Sequence, residues 1–154
     1  MHPCPRRLHF RPNRPGGATP GVASQAGAAG DSVKAVVTQL FDAMRKSDSA
    51  LIQACFAPGA LLQSLDEKKE PVTVVTDPIS QFAHIISALP VGAADERPRI
   101  DAVRVDGNLA TVWAPYQFYY KGTLHHCGVD SFQLIRSGGV WKIQYIIDTE
   151  HRCP

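Results

Sequence analysis

Nowhere does the chain offer the roughly 20 consecutive apolar residues that a helix needs to cross a bilayer's hydrocarbon core, so no membrane span is expected. It also lacks any Cys-x-x-Cys pair. Its four cysteines, Cys4, Cys55, Cys127 and Cys153, stand far apart and match no zinc-ligand spacing. Nor is there an excess of charge of one sign. The formal net charge is +2, but residues 1–30 hold four arginines and no acid, which leaves 12 basic against 14 acidic residues, or −2, in the remainder. A body that close to neutrality has no electrostatic footprint for nucleic acid.

The first 30 residues also lack a periodic apolar pattern. They contain five prolines, five glycines and five alanines, a composition that cannot offset the entropy of ordering, and they are expected to form a disordered basic tail ahead of one domain over residues 31–154. A secretory signal would need an apolar stretch of about 7–15 residues between the arginines and the small-residue run "GVASQAGAAG", and none is there. The same segment would also be left as a remnant if a true leader began from a different start codon, so the compartment stays open: cytoplasmic as written, exported otherwise. Cys127 and Cys153, on neighbouring elements near the end of the chain, could form a disulfide in the exported case and would be free thiols in the cytosolic one. Cys55 falls on the apolar side of a helix and reads as a small buried hydrophobe.

What is present is periodicity. In "DSVKAVVTQLFDAMRK" Val33, Val36, Val37, Leu40, Phe41 and Met44 recur at three and four, the spacing of one helix face, with Asp31 or Ser32 to cap its start. A short second helix follows Asp48–Ser49 through "ALIQACF" to Pro58–Gly59. "ALLQSL" and "PVTVVT" read as strands flanking the charged turn "DEKKE". "DPISQFAHIISALP" is a third helix, with Asp77 as N-cap, Pro78 at the first position and a buried face of Ile79, Phe82, Ile85, Ile86 and Leu89. "VGAADERP" reads as a polar loop. Four strands then follow, "RIDAVRVD", "LATVWAPYQFYY", "TLHHCGVDSFQLIR" and "VWKIQYIIDT", joined at "DGN", "KG" and "SGG". Helices first and an antiparallel meander last make an α+β plan, a curved sheet with the helices on its concave face.

This order of elements, with the first helix "VKAVVTQLFDAMRKSD", the strand "GVDSFQLIR" and the closing "GVWKI", resembles the nuclear transport factor 2-like superfamily over about residues 31–153. That group also includes the SnoaL-like polyketide cyclases and ketosteroid isomerases. The resemblance implies a cystatin-like cone, a mostly antiparallel sheet wrapped around three helices and enclosing a pocket, commonly in a homodimer joined through the outer sheet face. It implies no single activity and no cofactor. The acid expected after the second helix in ketosteroid isomerases has no counterpart, because "APGALLQSL" supplies Gln63 and Ser64 there.

Side chains alternate faces along a strand, which sorts the pocket by parity. Phe132 and Leu134 belong to the core face and carry Asp130 and His126 inward with them. Val112, Ala114, Tyr116 and Phe118 form the matching set on the preceding strand, subject to a bulge expected at Pro115. His125 and His126, being adjacent, should point to opposite faces, which argues against a metal site. In catalytic members of the superfamily a buried carboxylate or histidine works beside a tyrosine among apolar walls, so Asp130, His126 and Tyr116 are the candidate catalytic groups. Phe41, Phe82, Phe118 and Phe132 are candidates for the ligand walls, with Asp148 at the rim.

Two functional classes remain. One is a non-enzymatic domain binding a small apolar or carbonyl-containing ligand. The other is a metal-free isomerase, cyclase or dehydratase with Asp130 or His126 as general base on a hydrophobic carbonyl compound. A purely structural account also stands, with Asp130 paired to His126 and the tyrosines serving sheet packing. A further alternative is a protein-interaction module using an outer face that includes Trp113. Trp113 and Trp141 themselves are expected as core or dimer contacts.

Overall fold

The structure is a computed structural model that describes residues 21–154. Its elements run α1 (Gly21–Arg45), α2 (Ser49–Ala54), β1 (Phe56–Asp66), β2 (Thr73–Asp77), α3 (Ile79–Ser87), β3 (Ala94–Pro98), β4 (Ala102–Asp106), β5 (Leu109–Tyr120), β6 (Thr123–Ser137) and β7 (Val140–His151). The three helices lie against one side of a single sheet whose order is β2-β1-β7-β6-β5-β3, with β4 also paired to β5. Every pairing is antiparallel except that of β1 with β7. The α+β expectation is met, and the meander β4–β7 follows the sequence reading almost residue for residue.

α1 starts earlier than expected. It takes in residues 21–30, assigned above to the tail, because Ala23, Ala26, Ala28 and Ala29 favour the helix enough to carry Gly27 and Gly30. Asp31 and Ser32 are therefore mid-helix rather than caps, and Ser32 Oγ donates back to the Ala28 carbonyl at 3.0 Å. The rest of the expected tail lies outside the described residues. The predicted face of α1 is correct: Val33, Val37, Leu40, Phe41 and Met44 are buried, and Phe41 meets Phe132 edge to face at 6.1 Å.

α2 is capped by the Asp48 carboxylate, which accepts from the Leu51 amide at 2.9 Å. It ends two residues sooner than expected because the chain is drawn into β1, where Phe56 pairs with Ile143, and Pro58–Gly59 fall inside the register shift between Phe56 and Leu61. Asp77 does not cap α3. Pro78 holds the N-cap position without a side-chain bond, while Asp77 ends β2 opposite Leu62 and so shares its inward face. The buried stripe of α3 centres on Ala83 and Ile86, and Ile85 is 54% exposed.

The segment read as a polar loop contains β3, an edge strand with Glu96 opposite Phe118 and Pro98 opposite Tyr116. Pro115 makes no bulge. In a strand a residue's N–H and C=O point to the same side, and the Pro115 carbonyl accepts from Arg99, in the link between β3 and β4. The missing donor thus falls where no ladder needs it. The irregularity comes later, between Phe118 and Tyr119, and leaves His125 without a partner opposite β5.

Trp141 is buried beneath the Arg136 guanidinium, 5.3 Å from the ring. Trp113 lies half-exposed on the outer sheet face. Cys127 and Cys153 are joined in a disulfide with Cα atoms 5.0 Å apart. Cys55 is buried and free, and burial pushes its thiol up to about 11.

Candidate functional site

Between α1, α3 and the inner sheet face lies a cavity of about 230 Å³. The strand registers lay its floor in rows. One row runs Asp77–Leu62–Ile146–Phe132–Val112, and the next runs Ser64–Asp148–Asp130–Ala114. Glu150, Gly128 and Tyr116 follow, and then His126, Phe118 and Glu96. Leu40, Phe41 and Met44 of α1, with Phe82 and Ile86 of α3, form the apolar roof. All eight residues singled out from the sequence, the catalytic candidates Asp130, His126 and Tyr116 and the lining candidates Phe41, Phe82, Phe118, Phe132 and Asp148, thus border one space.

Asp130 is the centre of this space. It is 5% exposed, and its Oδ2 has no hydrogen-bond partner. The charged group that acts most strongly on it is Glu96 rather than His126. Burial first, then the charge of Glu96 and that of Asp148, holds Asp130 well above the usual carboxylate range. Burial likewise raises Glu96 to about 7, with Asp148 adding to the rise and the bond to Asp130 opposing it. Asp148 is raised by burial and by Glu150 and Asp77, against a hydrogen bond from Ser64. The Glu96–Asp130 pair therefore holds a proton to higher pH than an exposed carboxyl does.

Tyr116 crosses Gly128 and donates its hydroxyl hydrogen to the Thr149 carbonyl on β7 at 2.8 Å, which commits that proton to the backbone. Burial and the surrounding carboxylates push its own ionisation far up. His126 stacks on Phe118 with ring centroids 4.9 Å apart and meets Tyr116 edge to face at 5.7 Å. Burial lowers its pKa, so the ring is neutral at pH 7. The expectation that His125 and His126 point apart is corrected: the unpaired position of His125 lets the two Nδ1 atoms meet at 2.8 Å. Among the described residues no group of three or more histidine, cysteine or acidic side chains is arranged to hold a metal ion.

Glu96, Asp77, Ser64 and Glu150 are lining residues that the sequence reading did not assign to the pocket. Parity could have found Ser64 and Glu150 once β1 and β7 were paired. Glu96 gave no signal, because a five-residue edge strand reading "ADERP" has no apolar alternation.

Raised carboxyl pKa values make stability depend on pH. Between the unfolded carboxylate range, about 4, and the folded value of about 7 for Glu96, the folded chain binds more protons than the unfolded one, so stability falls as pH rises through that window. Urea unfolding should show a loss on the order of 2 kcal/mol between pH 5 and pH 8. Glu96→Gln should flatten much of it. A profile that is level in the wild type would mean the pair is not buried as described.

A family profile described as "Putative lumazine-binding" matches residues 28–145. No curated protein matches the chain. Among solved structures, a nuclear transport factor 2-like protein of unknown function from Shewanella baltica superposes with a TM-score of 0.62 at 17% identity, covering 89% of this chain and 100% of that one. A domain of unknown function with a cystatin-like fold from Nostoc punctiforme gives 0.64 at 16% identity, covering 84% and 80%. A "putative dehydratase" of the same superfamily from Streptomyces avermitilis gives 0.61 at 13% identity, covering 82% and 99%. At these identities the structural likeness shows the fold alone.

Proposed function

Since the chain belongs to the family described as "Putative lumazine-binding", within the nuclear transport factor 2-like superfamily, we propose that its cavity binds a small, flat, partly apolar compound. One observation carries this reading: Asp130 is buried at the floor of an apolar-roofed cavity with Oδ2 unpartnered. Leaving a buried acceptor unmatched costs about 1–3 kcal/mol, which a ligand N–H or O–H placed there would recover. The cavity lies below the ~300–1,000 Å³ typical of drug-sized ligands, which favours one or two rings. Phe41, Phe82 and Phe132 would wall the rings, with the stacked Phe118 and His126 beside them.

Lumazine, a bicycle with ring N–H donors and two carbonyls, is the natural first probe. Titration followed by its own fluorescence should saturate with the wild type. Asp130→Asn, which keeps shape and removes the carboxyl, should weaken binding about tenfold, the scale of one hydrogen bond to a charged or proton-sharing group. No saturable signal from lumazine or from other compounds of one or two rings would end the binding reading.

A second reading is favoured by Glu96, poised near neutrality beside Asp130: a carboxyl that titrates there can take and return a proton, as a metal-free isomerase, cyclase or dehydratase requires. His126, neutral in its stack, is the other candidate base. The same variant separates the two. Catalysis requires turnover to collapse in Asp130→Asn while the fold persists, and binding alone requires only the loss of affinity.

Trp113, with 50% of its surface exposed on the outer face between Ala102 of β4 and Ser131 of β6, suits the seam of a homodimer. Sedimentation equilibrium should give about twice the 16.7 kDa chain mass, falling to one chain in Trp113→Lys. A wild-type monomer would exclude the dimer.

A further inference from the structure

Among the described residues, the charged side chains bordering the cavity are all acids. Asp77 comes from β2, Glu96 from β3, Asp130 from β6, and Asp148 and Glu150 from β7. Among the described residues no lysine or arginine lines it. The remaining titratable groups facing Asp130 are Tyr116 on β5 and His126 on β6, the first tied to the Thr149 carbonyl and the second neutral. Among the described residues the helices contribute apolar side chains only. Such a space repels anions and gives a ligand carbonyl few donors, because its free polar atoms are mostly carboxyl oxygens.

We propose that the ligand of this cavity is a small organic cation, an amidine or a protonated amino-heterocycle, whose charged N–H groups lie between Glu96 and the unpartnered Oδ2 of Asp130 while its ring lies under Phe41 and Phe82. The inference rests on the binding reading above and narrows it to a charge class. A planar N–H fork matches a carboxylate in shape and is held by charge-assisted hydrogen bonds, which are about twice as strong as neutral ones. The empty cavity stabilises the proton on the Glu96–Asp130 pair because carboxyls crowd one another there. A cation between them reverses that balance, so the pair ionises and releases its proton as the ligand enters. Affinity therefore rises with pH, opposite in direction to the stability of the empty protein.

Benzamidine and benzamide make the test, because they share a shape and differ in charge. Calorimetric titration at pH 5.5 and pH 8.0, repeated in buffers of different ionisation heat, reads both affinity and proton exchange. Benzamidine should bind roughly tenfold tighter at pH 8.0 than at pH 5.5 and at least about tenfold tighter than benzamide at pH 8.0, releasing about one proton at the lower pH. Glu96→Gln, confirmed folded by its melting transition, should lose about tenfold in benzamidine affinity and most of the pH dependence. If benzamide or lumazine binds as tightly as benzamidine, the cation is wrong and the cavity reading stands. If Glu96→Gln leaves benzamidine binding intact, the amidine sits elsewhere and the proposal fails. If none of the three probes binds, the cavity reading falls and this inference with it.

Discussion

Replacing Gly128 with alanine should lower stability by about 3 kcal/mol or more, the range reached when a side chain is forced into filled space. A Cβ built on Gly128 would stand 1.9 Å from the Thr149 carbonyl oxygen and 2.6 Å from the Tyr116 hydroxyl. Those are the two atoms of the hydrogen bond that passes over this residue. The first contact is backbone and cannot swing away, so β7 or β6 must move. Tyr116→Phe is the informative companion, because it removes the hydrogen bond without adding volume and should cost only about 1 kcal/mol. Urea unfolding of both variants separates steric from hydrogen-bond effects. An alanine variant within 1 kcal/mol of the wild type would show that Tyr116 does not cross at this point.

The second large effect concerns the disulfide. Cys127 and Cys153 are 26 residues apart, a loop whose closure stabilises a fold by roughly 3–4 kcal/mol in the chain-entropy account. Cys153→Ser, or reduction of the oxidised protein, should therefore lower Tm by roughly 10 °C. Cys127 lies opposite His151, so the bridge ties down the end of β7, the stretch holding Thr149 and Glu150. Hydrogen exchange should quicken there first and leave the β5–β6 ladder near Val112 and Phe132 protected. Cys55 does not complicate the experiment, since its buried thiol is held almost wholly protonated at neutral pH. Equal melting of oxidised and reduced protein would mean the bridge bears no load.

How far the sequence spoke depended on how much repeating pattern each segment carried. β5, β6 and β7 alternate over a dozen residues or more, so their limits and inward faces were legible, and Asp130, Tyr116 and Asp148 came with them. α1 and α3 showed their stripes, but the extent of α1 was hidden because alanine signals a helix by propensity and leaves no apolar period. Glu96 was out of reach: its strand is short and polar and takes its ladder from β5, so what makes it a strand lies about twenty residues away. The meeting of His125 and His126 was equally hidden, since strict alternation fails at a bulge and nothing in "TLHHCG" marks one. Asp77 was misassigned for a different reason. An aspartate before a proline fits a helix cap, and only the pairing with Leu62 shows that it finishes a strand.

The parallel pairing of β1 with β7 has a consequence for the order in which the molecule can assemble. The last strand in the chain is not at an edge but between β1 and β6, so the β1–β2 hairpin has no neighbour on its inner edge until Val140–His151 arrive. Contacts such as Leu62 with Ile146 close very long loops, the slowest kind to form. A chain still emerging from the ribosome can form its helices and the β4–β6 meander early, yet it holds two separate pieces of sheet. Leu62 and Phe132, which later share one row of the cavity floor, belong to different pieces until Ile146 comes between them. Within this fold the binding space is thus completed only when β7 arrives, and a chain cut short before β7 has no pocket.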